Sequence, residues 1–181
     1  MSAVAVSLPK AGSRTSGAWA TAIAAAALGW LATGLLAAIP AGAGLGVVAV
    51  SDLATHRFSI RTLGVASALV APALIVDAAI SGSWHHLAAA GGGTAAVSTL
   101  LLLVWLGTAG VAFGDVLLGI FTLVVPLYLS LMSAAATGLV TLVAAAGLVL
   151  ARGARFGAGR SATFPLAPAL LVGWLCGVVV G

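Results

Sequence analysis

62-TLGVASALVAPALIVDAAI-80 and 87-LAAAGGGTAAVSTLLLLVWL-106 are two apolar runs, each close to the roughly 20 residues that carry an α-helix across a bilayer. They belong to a longer gap. Residues 62–151 contain no Lys, Arg or Glu, and within them only Asp77 and Asp115 are charged. This gap holds four helices, predicted near 62–80, 87–106, 115–132 and 134–151. The turn-like breaks between them are Ser81-Gly82-Ser83-Trp84-His85-His86, Gly107-Thr108-Ala109-Gly110 and Ser133. A basic loop at 152–163 follows, then a last apolar run at 164–180. Upstream, residues 18–53 are nearly uncharged, and they divide into two helices between Pro40 and Gly44. The prediction is an all-α, polytopic membrane protein of about seven transmembrane helices.

Composition excludes most other classes. Of 181 residues, 62% are hydrophobic and 6% are charged, against about half and a quarter in soluble domains. That sets aside soluble globular, disordered, coiled-coil and nucleic-acid-binding chains. The net charge of +4 is too small to point to a polyanion partner. One cysteine, Cys176, allows no intrachain disulfide and no cysteine-rich zinc site. A membrane β-barrel would alternate apolar and polar residues, and these runs are apolar on every face.

Cytoplasmic loops carry the excess of Lys and Arg in membrane proteins. With seven helices, the N-terminus and the loops at 54–61, 107–114 and 152–163 share one side. Lys10, Arg14, Arg57, Arg61, Arg152, Arg155 and Arg160 all fall there. The expected topology is N-terminus cytoplasmic and C-terminus external. Lys10 and Arg14 followed by apolar residues also resemble the start of a secretory signal, with Ala41-Gly42-Ala43 as a cleavage site. The apolar run is long for a signal core, so a retained first helix is expected. The abundant Ala and Gly suit close helix contacts in lipid.

An acid within a span is costly and is a functional candidate by default. Asp77 falls near the external end of its helix, beside a polar loop where water is expected to reach it. Asp52, in Ala49-Val50-Ser51-Asp52-Leu53-Ala54-Thr55-His56-Arg57, ends the second helix at the cytoplasmic side. Asp115, in Val111-Ala112-Phe113-Gly114-Asp115-Val116-Leu117-Leu118-Gly119, opens the fifth helix at that side. Two carboxyls at one depth are what an aspartyl protease needs, because a pair sharing a proton activates water and protonates the leaving group. Helix capping explains an isolated helix-end Asp equally well.

The two segments resemble the active-site motifs of the prepilin peptidases (type IV leader peptidases), membrane aspartyl proteases of the GxGD class. Asp52 to Arg57 looks like the first motif, with Phe58-Ser59-Ile60 at its Ile-Pro-Asn positions. Ala112-Phe113-Gly114-Asp115-Val116-Leu117-Leu118 is similar to the Gly-x-Gly-Asp motif and its Val-Lys-Leu continuation. Phe164-Pro165-Leu166-Ala167-Pro168 is like the Pro-Phe-Gly-Pro that opens the family's last helix. The Asn, the first Gly and the Lys of those motifs are absent here. The resemblance covers about residues 41–181 as a six-helix peptidase domain, leaving 1–40 as a tail and an extra helix. It implies catalytic Asp52 and Asp115, close backbone access at Gly114, no metal or other cofactor, and prepilin or pseudopilin precursors as substrates. Larger members add a methyltransferase portion with Cys-x-x-Cys pairs. Its absence implies the short, peptidase-only form.

Other polar residues have plainer explanations. His85 and His86 are adjacent but lack a third ligand, and His56 sits beside Arg57 in a basic loop. Several of Trp19, Trp30, Trp84, Trp105 and Trp174 fall near span ends, as interface anchors do. Cys176 lies in an apolar helix. Two further functions stay open: a degenerate family member serving as an assembly scaffold, and a small transporter.

Overall fold

In the computed structural model, residues 11–55, 59–107, 112–156 and 166–181 are described, with side chains within 16–55, 59–107, 112–150 and 166–181. They form seven helices: α1 (Ala11–Thr33), α2 (Ala38–Thr55), α3 (Ile60–Ser81), α4 (Trp84–Gly107), α5 (Phe113–Leu129), α6 (Leu131–Phe156) and α7 (Ala167–Val180). The described residues contain no strand. Five of the helices are long and apolar enough to cross a membrane, while α5 and α7 are shorter. At 1.5 Å per residue, α5 spans about 26 Å and α7 about 21 Å. These short helices lie inside the bundle, α5 against α2, α3, α4, α6 and α7, and α7 against α1, α2, α5 and α6. There they are freed from matching the lipid. On α4 only Ala90 is buried, and Leu100, Leu103 and Leu106 are exposed. Apolar surface exposed on this scale belongs in lipid. The chain is a polytopic helical membrane protein.

Side-chain contacts show how the helices alternate. The end of α2 meets the start of α7 through Asp52 and Ala167. At the opposite end, the end of α3 meets the start of α2 through Asp77, and Ser83 before α4 bonds Tyr128 near the end of α5. The end carrying Asp52 also carries the start of α3 and the start of α5. Of the seven basic residues, Arg14, Arg61, Arg152 and Arg155 lie on helix turns at this acid end. Lys10, Arg57 and Arg160 lie outside the described residues.

Two breaks differ from the sequence expectation. The α1–α2 turn is at Gly34–Ala37. Gly34 takes φ +69°, which favours glycine, and its N–H donates to the Trp30 carbonyl at 2.7 Å. Pro40 is the third residue of α2, where a missing N–H breaks no helical bond. The 40/41 domain boundary therefore falls inside a helix, and α1 packs tightly on α2. The second difference is Ser130, not Ser133, between α5 and α6. Its extended backbone ends α5, and its Oγ accepts from Ser133 N at 3.0 Å as an N-cap. Ser133 is buried instead, donating to the Gly177 carbonyl at 2.6 Å. Trp84, His85 and His86 also differ: they open α4, not a loop.

The glycines of α2 are contact surfaces. A Cβ on Gly46 would stand 2.7 Å from Ala22 Cα, and one on Gly42 2.6 Å from the Ala25 carbonyl oxygen. Close approach of this kind holds helices together in lipid, where the hydrophobic effect does not. Gly46→Leu is expected to destabilise the bundle by at least the roughly 1–3 kcal/mol typical of overpacking. Gly147→Ala, with nothing within 4 Å of its Cβ, should leave stability equal or slightly higher. Thermal unfolding in detergent checks both, and equal midpoints for parent and Gly46→Leu would refute the close contact.

Candidate acidic site

Asp52 lies in the last turn of α2. Its side chain is only 7% exposed. Oδ2 accepts a 3.1 Å hydrogen bond from Ala167 N, the first residue of α7. Opening turns of helices have N–H groups with no intrahelical partner, and Asp52 satisfies one of them from 115 residues away in sequence. Leu166, the residue before α7, cannot do so because its side chain is apolar, and no side-chain cap is present.

Asp115 lies in the first turn of α5, directly after Gly114. Its N–H donates to the Ala112 carbonyl at 2.9 Å. The side chain is partly buried and lies within reach of the Asp52 charge. The two acids selected from the sequence thus lie at the same end of the bundle.

Asp115 also lines a cavity of about 340 Å³ between α4, α5, α6 and α7. Its walls are mainly apolar, with Leu101, Val104, Gly119, Leu166 and Leu170 among them. Thr122, Thr137 and Thr141 add hydroxyls. Thr122 and Thr137 spend theirs on the carbonyls four residues back, whereas Thr141 Oγ1 is buried without a hydrogen-bond partner. Nearby in sequence, the rings of Trp105 and Phe113 meet at 5.3 Å and join the end of α4 to the start of α5. A carboxyl on an apolar cavity can hold a water beside an apolar chain.

The other sequence candidates lie elsewhere. Leu117, at the family's Lys position, lines a separate groove between α3, α4 and α5. Ser59, at a motif position, is the N-cap of α3, accepting from Thr62 N. His56, Arg57, Phe58, Phe164 and Pro165 lie outside the described residues. Asp77 is at the opposite end and is not solvated: it is 7% exposed and accepts from Leu36 N and Ala37 N, each at 3.0 Å. His86 Nδ1 faces the Tyr128 carbonyl oxygen at 3.0 Å, and His85 stacks edge-on against His86. No three His, Cys, Asp or Glu side chains gather as a metal site among the described residues. The cavity and the Asp52–Ala167 bond were beyond the reach of sequence patterns, because they join helices far apart in the chain.

Compared with known proteins, the chain matches no family model, no curated protein and no solved structure.

Proposed function

We propose that the protein is an aspartic endopeptidase of the prepilin peptidase kind, removing leader peptides from prepilin or pseudopilin precursors at the cytoplasmic face of a bacterial inner membrane. One observation carries this reading: Asp52 and Asp115, 63 positions apart, lie at the same end of the bundle, where α2 stops and α5 starts, with Asp115 on an apolar cavity. The motif resemblance around both acids supports the choice of substrate class.

In this mechanism the pair holds one proton. The ionised carboxylate takes a proton from water as the water oxygen bonds to the scissile carbonyl carbon, while the protonated partner donates to the carbonyl oxygen. Collapse of the resulting diol breaks the C–N bond: the proton gained from water passes to the leaving amine, while the other carboxylate takes back a diol hydroxyl proton as the carbonyl re-forms, restoring the one-proton pair. The Ala167 N–H fixes one Asp52 oxygen, leaving the group oriented for this exchange. Gly114 keeps the backbone before Asp115 open to an extended peptide. No metal enters any step.

Co-expression with a reporter prepilin tests the activity, since cleavage shifts the size of the precursor. An uncut precursor beside abundant, membrane-inserted protein would favour the scaffold reading, on which Asp52 serves only to cap α7. The topology has its own test. Reporter fusions at residues 57 and 155 are expected to read cytoplasmic, and those at 84 and after 181 external. Fusions placing 57 and 112 on opposite faces would separate the two acids and end the protease reading.

A further inference from the structure

A second opening, on the other side of α5, is larger than the cavity at Asp115. It measures about 780 Å³ and runs between α3 and α4 over a floor of Leu117, Ile120, Phe121 and Val124. Along α3 its lining extends from Ile60 to Ile75, about 22 Å at 1.5 Å per residue. Small residues thin its walls, among them Ser67 and Ala71 on α3 and Gly91 and Ala95 on α4. None of its lining residues is charged. A single slender hydrocarbon chain fits.

Charge marks one end of the groove. Arg61 follows Ile60 in the first turn of α3 and is exposed at the acid end. None of the three carboxylates pairs with it: Asp52 bonds Ala167, Asp77 bonds Leu36 and Ala37, and Asp115 has Asp52 as its charged neighbour. Arginine suits phosphate, which its planar fork binds through two parallel hydrogen bonds. We propose that this groove is a binding site for an anionic phospholipid, one acyl chain lying between α3 and α4 and the headgroup phosphate at Arg61. The occupant would hold α3 and α4 at a fixed separation and brace the face of α5 opposite Asp115. The site stands whether or not the acid pair cleaves peptides.

The test uses the full chain in phosphatidylcholine vesicles containing a minor fraction of phosphatidylglycerol with a photoreactive acyl chain. After illumination, labelled peptides are mapped by mass spectrometry. Label is expected to concentrate on the groove walls around Ser67, Ala71 and Ala95. Arg61→Gln should lower it about fivefold, as expected for loss of one basic contact to an anionic lipid. Label from phosphatidylcholine bearing the same chain should be weaker and indifferent to Arg61. Ala71→Phe, which fills the groove, should remove the concentrated label from both lipids; Arg61→Gln decides alone if that variant does not fold. Label spread evenly over the outer surfaces of α3 and α4 overturns the site, as does equal labelling by the two lipids. Crosslinks from a photoreactive residue at Ala95 to a second polypeptide would also overturn it, identifying a protein occupant.

Discussion

Asp115→Asn is expected to reduce cleavage of a reporter prepilin to background while leaving the protein in the membrane at parental abundance. Asn is nearly isosteric, and a neutral group at a partly buried position beside Asp52 removes a repulsion. What it cannot do is accept a proton from water. Asp52→Asn should lose activity to the same extent, because its amide oxygen can still accept from Ala167 N while its share in the proton exchange is gone. Asp52→Ala should additionally destabilise the start of α7, since a buried N–H without a partner costs about 1–3 kcal/mol. The contrast between Asn and Ala at this position separates capping from chemistry. Groups that act as a unit are strongly non-additive, so Asp52→Asn/Asp115→Asn should be little worse than either single change. The rate in the parent should trace a bell against pH, with two apparent pKa values belonging to the pair. An Asp115→Asn protein that cleaves at the parental rate would sink the dyad. An Asp52→Asn protein that cleaves normally while Asp52→Ala unfolds would assign Asp52 to capping alone.

The architecture was legible because charge is so scarce in this chain. Where Arg61 and Arg152 bound a long apolar interval, the number of helices follows from bilayer thickness, and the clustering of Lys and Arg sets which ends lie together. That logic placed Asp52 and Asp115 at one end of the bundle. It failed where identical residue types do different jobs. Pro40 and the glycines after it look like a turn, yet proline is harmless in a first helical turn and the glycines are sites of contact with neighbouring helices, Gly42 with α1 and Gly44 with α3. Ser130 and Ser133 are equivalent as letters; only the cap hydrogen bond and the bond to the Gly177 carbonyl distinguish the break from the packed position. Leu117 looked like a lost charge beside the acids, but the helical rotation between positions 115 and 117 turns it onto the other groove. Asp77 misled for a similar reason: it is near a helix end, yet its position there is enclosed by the α1–α2 turn.

That enclosure makes Asp77 the clearest stability prediction. Its two carboxylate oxygens take one N–H each, from Leu36 and Ala37, the backbone groups just before α2 that the helix itself cannot satisfy. Both bonds cross from α3 to the turn joining α1 and α2, so one side chain ties three helices at the end opposite the acid pair. Asp77→Ala leaves two donors without partners, at about 1–3 kcal/mol each. At roughly 2–4 °C per kcal/mol for a chain of this size, the thermal midpoint should fall by on the order of 10 °C. Asp77→Asn keeps one oxygen and turns an NH₂ toward the second donor, so about half of that loss is expected. Protease nicking should appear first at the Gly34–Ala37 turn in the Ala variant. Leader cleavage per folded molecule should match the parent for both variants, because Asp77 shares no contact with Asp52 or Asp115. A midpoint for Asp77→Ala equal to the parent's would show that water already satisfies Leu36 and Ala37, and that the acid binds nothing the fold depends on.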